Sequence, residues 1–183
     1  MMRVVPSLVK NRVLIRPLEP GDCAAFISAA RRSRTLHARW ISRRPSTPEA
    51  FADYLKRFAT GERYGFLVVE RESGTLVGMI NLNHVIRGAF QNASLGYYAF
   101  VPNAGKGLMG EGMRLALRHA FGTLKLHRLE ANIQPENHAS IQLARRSGFV
   151  FEGLSRHLLK IGGRWRDHER WVMLAEDFRR RPA

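Results

Sequence analysis

Apolar residues recur along this chain in two rhythms, and the changes between them mark out its elements. Residues 12–18 (RVLIRPL) alternate weakly and predict a first strand, ended by Pro17 and Pro20. Cys23, Phe26, Ile27 and Ala30 fall on one helical stripe, with Asp22 placed to cap a helix running to about Arg32. Thr47-Pro48-Glu49 opens a second helix, because a hydroxyl, a proline and an acid each suit a first turn. Phe51, Tyr54, Leu55 and Phe58 form its apolar face. Strands over 64–70 (YGFLVVE) and 75–83 (TLVGMINLN) are joined through Glu72-Ser73-Gly74 as a hairpin. Residues 87–90 then turn the chain into a third antiparallel strand, 93–100 (ASLGYYAF).

The rhythm changes most sharply at Gly105-Lys106-Gly107-Leu108-Met109-Gly110. Beyond it Met109, Met113, Ala116, Leu117, Ala120, Phe121 and Leu124 take helical spacing. A half-buried strand follows at 127–134, then a short helix at 137–147 closed by Gly148, and a strand from Phe149 toward Ile161. Gly162-Gly163 signals a hairpin turn into a last strand, 164–174. Helices enter only between groups of strands. The fold class predicted is α/β of the mixed α+β kind: one domain over 1–183, with a mostly antiparallel twisted sheet of about seven strands flanked by four helices.

Composition adds bounds. The 183 residues suffice for one real core, and no run of about 18 apolar residues predicts a membrane helix. The N-terminus (MMRVVPSLVK) lacks the apolar core of a signal peptide. Cys23 stands alone, which excludes an internal disulfide and suits a reducing cytoplasm. The seven histidines show no paired metal-ligand spacing, so no metal site is expected. The net charge of +15 favours polyanionic surroundings, either a ribonucleoprotein or an anionic cofactor, although solubility alone would also account for it. Lys and Arg outnumber acids by 12 to 4 in residues 1–60 and by 10 to 5 in 141–183, but only by 8 to 6 between them. The excess therefore sits at the ends of the chain.

Strand, glycine-rich turn and helix in succession aim unpaired backbone N–H groups at one spot, at the positive end of a helix dipole, where a phosphate binds well. Spacing rules out the common nucleotide motifs. The only lysine here precedes Gly107, and no Ser or Thr follows it, unlike a Walker A loop. The turn also follows an antiparallel meander rather than opening a βαβ unit.

The turn after strand 93–100, with PENHASIQLARRSGF (135–149) after strand 127–134, resembles the two acetyl-CoA-binding segments of the GNAT acyltransferase superfamily. NHVIRGAFQNASLGY (83–97) and LLKIGGRWRDHERWVML (158–174) are similar to the RimJ-type branch, the ribosomal-protein-alanine N-acetyltransferases. The likeness runs from about Arg12 to Leu174 and is loosest over 22–60. It implies an acetyl-CoA-dependent N-acetyltransferase with its cofactor core at about 93–149, working by direct attack of an amine on the thioester. By that resemblance a backbone N–H near Phe100 or Val101 holds the thioester carbonyl. The amides of Gly105, Lys106, Gly107, Leu108, Met109 and Gly110 cradle the pyrophosphate, Lys106 adds charge, and Asn137 contacts pantetheine while capping its helix. Many relatives carry, at the Ala144 position, a tyrosine that protonates the leaving thiolate. Its absence makes Ser140 the nearest candidate. The base stays open among an ordered water, Glu111, Glu130 and His84, with Ser94 near the place where some relatives carry a glutamate. The acceptor that the resemblance implies is a protein N-terminal α-amine, that of a ribosomal protein by the RimJ-type branch. A small amine, or an RNA- or ribosome-bound assembly factor with little turnover, are the alternatives. Oligomeric state is not legible.

Overall fold

The run YGFLVVE is apolar without alternation because the strand it forms, β2 (Tyr64–Glu70), is buried on both faces. Phe66 and Val68 enter one core, Leu67 and Val69 the other. The computed structural model describes residues 11–41 and 45–180. The N-terminal segment read above, part of the basic loop (42–44) and the last three residues lie outside them.

One seven-stranded sheet is ordered β1 (Val13–Pro17), β2, β3 (Leu76–Ile86), β4 (Asn92–Ala99), β5 (Arg128–Ile133), β7 (Arg164–Leu174) and β6 (Val150–Ile161). Every pairing is antiparallel except β4 with β5. Among the described residues six α-helices accompany it: α1 (Cys23–Arg32), α2 (Arg34–His37), α3 (Pro48–Lys56), α4 (Leu108–Arg118), α5 (His138–Ser147) and α6 (Ala175–Arg179). The two beyond the expected four, α2 and α6, span four and five residues, too short for a periodic pattern to show.

Each face of the sheet carries a core. On one, Met113, Ala116 and Leu117 of α4 and Ile141 and Ala144 of α5 pack on Val68, Ile80, Leu95, Leu129 and Trp171. On the other, Phe26 of α1 and Phe51 of α3 pack on Leu67, Met79 and Phe100. Helix α4 approaches β2 closely because Gly112 faces Val68, whose Cγ1 would lie 2.7 Å from a Cβ placed there.

Local chemistry explains the helix ends. Thr47 Oγ1 accepts the Ala50 N–H at 3.2 Å, and Gly148 closes α5 at φ +97°, as their sequence positions predict. Asp22 behaves differently. Its carboxylate takes both Arg16 guanidinium nitrogens, at 2.7 and 2.5 Å, and the Glu19 N–H at 2.9 Å, instead of capping α1. A part-buried arginine fork competes better for that carboxylate than a single helix amide.

Candidate active site

The single parallel pairing sets the site. β4 and β5 are joined only at Asn92↔Arg128, Ala93↔Leu129 and Ser94↔Glu130. Both strands continue past that point, β4 to Ala99 and β5 to Ile133, so they part into a V that opens toward their C-terminal ends. Ala93, Leu95, Tyr97 and Ala99 face the core beneath α4 and α5. By alternation Ser94, Gly96 and Tyr98 face the side of α1–α3.

At the open end of the V lies the glycine turn. Gly105 and Gly107 hold φ of +82° and +80°, a left-handed conformation that side-chain-bearing residues avoid, and Gly107 sits at the N-cap of α4. The Gly110 N–H turns back to the Gly107 carbonyl at 3.0 Å. It is thus used within the helix, which leaves the cradle to the amides of Gly105–Met109. Those of Leu108 and Met109 are in the first turn, where no intrahelical carbonyl reaches them, while their side chains are buried below. Lys106 Nζ donates to Asn103 Oδ1 at 3.3 Å. Arg12 braces the turn from outside. It donates to the Lys106 carbonyl at 3.5 Å and holds Glu111 through its Nε at 2.7 Å and its backbone N–H at 2.8 Å. Glu111, one of the candidate bases named above, forms an ion pair that ties the residue before β1 to α4.

Across the V stands the start of α5. Asn137 Oδ1 accepts the Ser140 N–H at 3.3 Å, and Ser140 is half-buried in the first turn. Tyr97, which sequence reasoning passed over, donates its hydroxyl to the Ser140 carbonyl at 2.9 Å. Burial pushes its phenol well above the usual tyrosine range, so it remains a neutral donor. Its signal was present: the alternation of ASLGYYAF puts Tyr97 in phase with Ala93 and Leu95, toward α5. Ala144 is fully buried in the core.

The amides expected at the thioester carbonyl are committed elsewhere. The Phe100 N–H donates to the Val77 carbonyl at 2.7 Å, and the Val101 N–H to Ser33 Oγ at 3.0 Å. Alternation along the β3–β4 ladder then turns the N–H groups of Tyr97 and Ala99 away from β3, toward the V. The corner between α1 and α2 supplies the other clamp: His37 Nε2 donates to the Ala99 carbonyl at 2.6 Å. Neither Ser33 nor His37 carries a sequence signal for this role, because both depend on how the α1–α2 corner docks. His84 is exposed at an irregular point of the β3–β4 ladder, with φ +50°, away from the V. Glu130 lies at the vertex, where its Oε1 accepts Arg128 Nε at 2.8 Å and Asn92 Nδ2 at 3.4 Å.

A left-handed glycine cradle at a helix start, a strand edge turned toward the V and a polar helix start across from it fit a ligand with phosphates at one end and an extended amide arm. The acetyltransferase (GNAT) domain family matches residues 12–150. A probable N-acetyltransferase of Bacillus subtilis, YjcK, is 33% identical over 90% of this chain and 95% of its own. The ribosomal protein uS5-alanine N-acetyltransferase of Escherichia coli is 35% identical over 64% of this chain and 61% of its own. The solved structure of Mycobacterium smegmatis RimJ in complex with CoA-disulfide superposes with a TM-score of 0.83 at 26% identity, covering 90% of this chain and 83% of that one. The fold, the parted strands and these likenesses converge: the chain belongs to the GNAT family of N-acetyltransferases, whose acetyl donor is acetyl-CoA.

Proposed function

We propose that this enzyme acetylates the N-terminal α-amine of a protein, with ribosomal proteins as the substrate class. The observation that carries the reading is the V between β4 and β5, with a left-handed glycine turn at its mouth and a polar strip on the sheet face away from α4 and α5. That face offers Ser94, Gly96 and the Asn81–Tyr54 pair, joined at 2.9 Å, as a floor for an extended chain end. Likeness to a protein named for acetylating a ribosomal-protein alanine, and a charge suited to ribonucleoprotein, direct the choice of substrate.

In this reading the amides of Gly105–Met109, with Lys106, hold the pyrophosphate, and Asn137 orients the arm beside α5. The edge amides of Tyr97 or Ala99 are aimed where charge develops on the thioester carbonyl. Acetyl-CoA supplies the activated acyl group. The Ser140 hydroxyl relays a proton to the departing sulfur, with Tyr97 fixing the turn that presents it. An α-amine, with a pKa near 8, needs far less deprotonation at neutral pH than a lysine near 10.4. A polycationic small amine is disfavoured as acceptor, because a +15 protein repels it on approach.

The test is CoA release and product mass with peptides beginning Ala, Ser, Thr or Met, beside a polyamine and an aminoglycoside. The expected result is acetylation at the peptide α-amine. Turnover confined to the small molecules overturns the protein reading. Tight acetyl-CoA binding without turnover, joined to salt-sensitive binding of ribosomal RNA, favours an assembly role instead.

A further inference from the structure

The acceptor side of the V lacks an acid on β4, where Ser94 stands, but the parallel register puts one directly beside it. Ser94 pairs with Glu130, and register partners in a parallel ladder project from the same face. The Asn92 Nδ2 contact to Glu130 Oε1 confirms that the even-numbered residues of β4 and β5 share that face. It is the face opposite α4 and α5, and the α1–α3 helices cover it only over the β1–β4 half. The Glu130 side chain is 21% exposed.

Position and orientation both matter. The phosphate cradle lies at the open end of the V, so a ligand anchored there extends its far end toward the vertex, where Ser94 and Glu130 meet. Glu130 Oε1 is occupied by Arg128 and Asn92, which anchors the carboxylate through one oxygen. Arg128 is itself shared, gripping Glu152 of β6 with Nη1 at 2.9 Å and Nη2 at 2.5 Å. Further register neighbours on this face are apolar Val172 of β7, which pairs with Glu130 and with Val150, and Asn132 and Arg170, which pair with each other. One carboxylate oxygen is thus anchored, while Oε2 makes no hydrogen bond among the described residues.

We infer that Glu130 is the group that receives the acceptor amine, taking on from β5 the task that a β4 carboxylate at position 94 would perform. This rests on the acetyl-transfer reading above. Oε2 pairs with the incoming ammonium and accepts its proton. The freed nitrogen lone pair forms the C–N bond as the C–S bond breaks. The second proton of the nitrogen passes through water and Ser140 to the departing sulfur, and Glu130 returns its proton to solvent.

Two variants test this: Glu130→Gln, which keeps an oxygen for Arg128, and the transplant Ser94→Glu with Glu130→Ser, which moves the carboxylate to its register partner. Binding of a peptide with a free N-terminus to the CoA-bound enzyme is measured by calorimetry, and kcat is followed from pH 6 to 9.5. In E130Q, peptide binding weakens about tenfold while CoA binding is unchanged. Its kcat falls about 100-fold at pH 7, and the deficit closes as pH passes the free α-amine pKa of about 8. The transplant regains at least a tenth of wild-type kcat. Unchanged peptide binding and pH profile in E130Q, or a loss equal at every pH with no recovery in the transplant, overturns the assignment. Wild-type protein inert toward every amine strikes the transfer reading itself, whereas an active wild type with an unaltered E130Q strikes this inference alone.

Discussion

Tyr97 shows how one hydroxyl can join two elements that carry different parts of the site. Its O–H is the lateral tie between β4 and the first turn of α5, and it reaches a main-chain atom rather than a side chain. Removing it as Tyr97→Phe leaves the Ser140 carbonyl short of one donor, at about 1 kcal/mol, so Tm should fall by about 2–4 °C for a domain of this size. Ser140→Ala keeps that carbonyl, so its Tm should stay within about 1 °C by the same reckoning. Its kcat should fall instead, and an unchanged kcat removes the hydroxyl from the reaction. Two other groups set how the fold responds to acid. The Arg16 fork holds the Asp22 carboxyl below its usual range. Burial lowers His168, although its Nδ1–H donates to the Arg166 carbonyl at 3.0 Å. In both cases the folded form binds its proton less readily than the unfolded chain, so each contributes stability that is lost as pH falls. For His168 the loss begins near the unfolded value of about 6.5, and for Asp22 near about 3.9. Urea midpoints measured between pH 8 and 5 should therefore decline below about pH 6.5, with a shallower slope in His168→Gln.

The glycines of the central turn and helix look alike in sequence and separate only at the level of elements. Gly107 needs its left-handed backbone, so Gly107→Ala should cost about 1–2 kcal/mol in strain and weaken CoA binding. Gly112→Ala drives a methyl within 2.7 Å of Val68 and pushes α4 off β2, at about 1–3 kcal/mol. Gly110→Ala meets nothing nearer than Leu143 Cδ1 at 3.9 Å and lies inside the helix, so it should stabilise by about 0.5–1 kcal/mol. Thermal unfolding with a CoA titration separates the three. The same contrast marks what the sequence could disclose. The strands, the hairpin at Gly162-Gly163, and the caps at Thr47 and Asn137 are local events, written in alternation and in capping residue types. The parting of β4 from β5 is not local, and no periodicity shows it. Which edge of β4 each amide faces depends on register with β3, so Phe100 and Val101 were natural but mistaken choices of donor. The four-residue α2 has no periodicity to read, yet its His37 and the preceding Ser33 hold the β4 end at the site. Asp22 went astray for a related reason: Arg16 is only six residues away, but nothing in the spacing reveals that a strand and a helix entry bring their side chains together.

Across the whole molecule the charge imposes a long-range preference that no local contact would show. A net +15 on 183 residues gives the whole molecule a positive far field. That potential speeds the approach of anionic assemblies, slows polycations, and fades as the screening length shrinks from about 10 Å at 0.1 M salt to about 3 Å at 1 M. The charge of the acceptor therefore decides the sign of the salt effect. For a short neutral peptide, kcat/KM should hardly change between 0.05 and 0.5 M salt. For the same N-terminus displayed on a ribosomal protein bound to RNA, it should fall about tenfold or more over that range, because the loss is in association. For a polyamine it should rise, since screening relieves repulsion. Measuring the three acceptors side by side, at saturating acetyl-CoA so that donor binding does not contribute, assigns the effect to the acceptor alone. A flat response with the RNA-bound protein would mean that the excess charge plays no part in finding the substrate and serves solubility instead. A polyamine that is turned over best at low salt would show that the acidic vertex at Glu130 outweighs the field of the whole protein, and would make a small cation the acceptor to pursue.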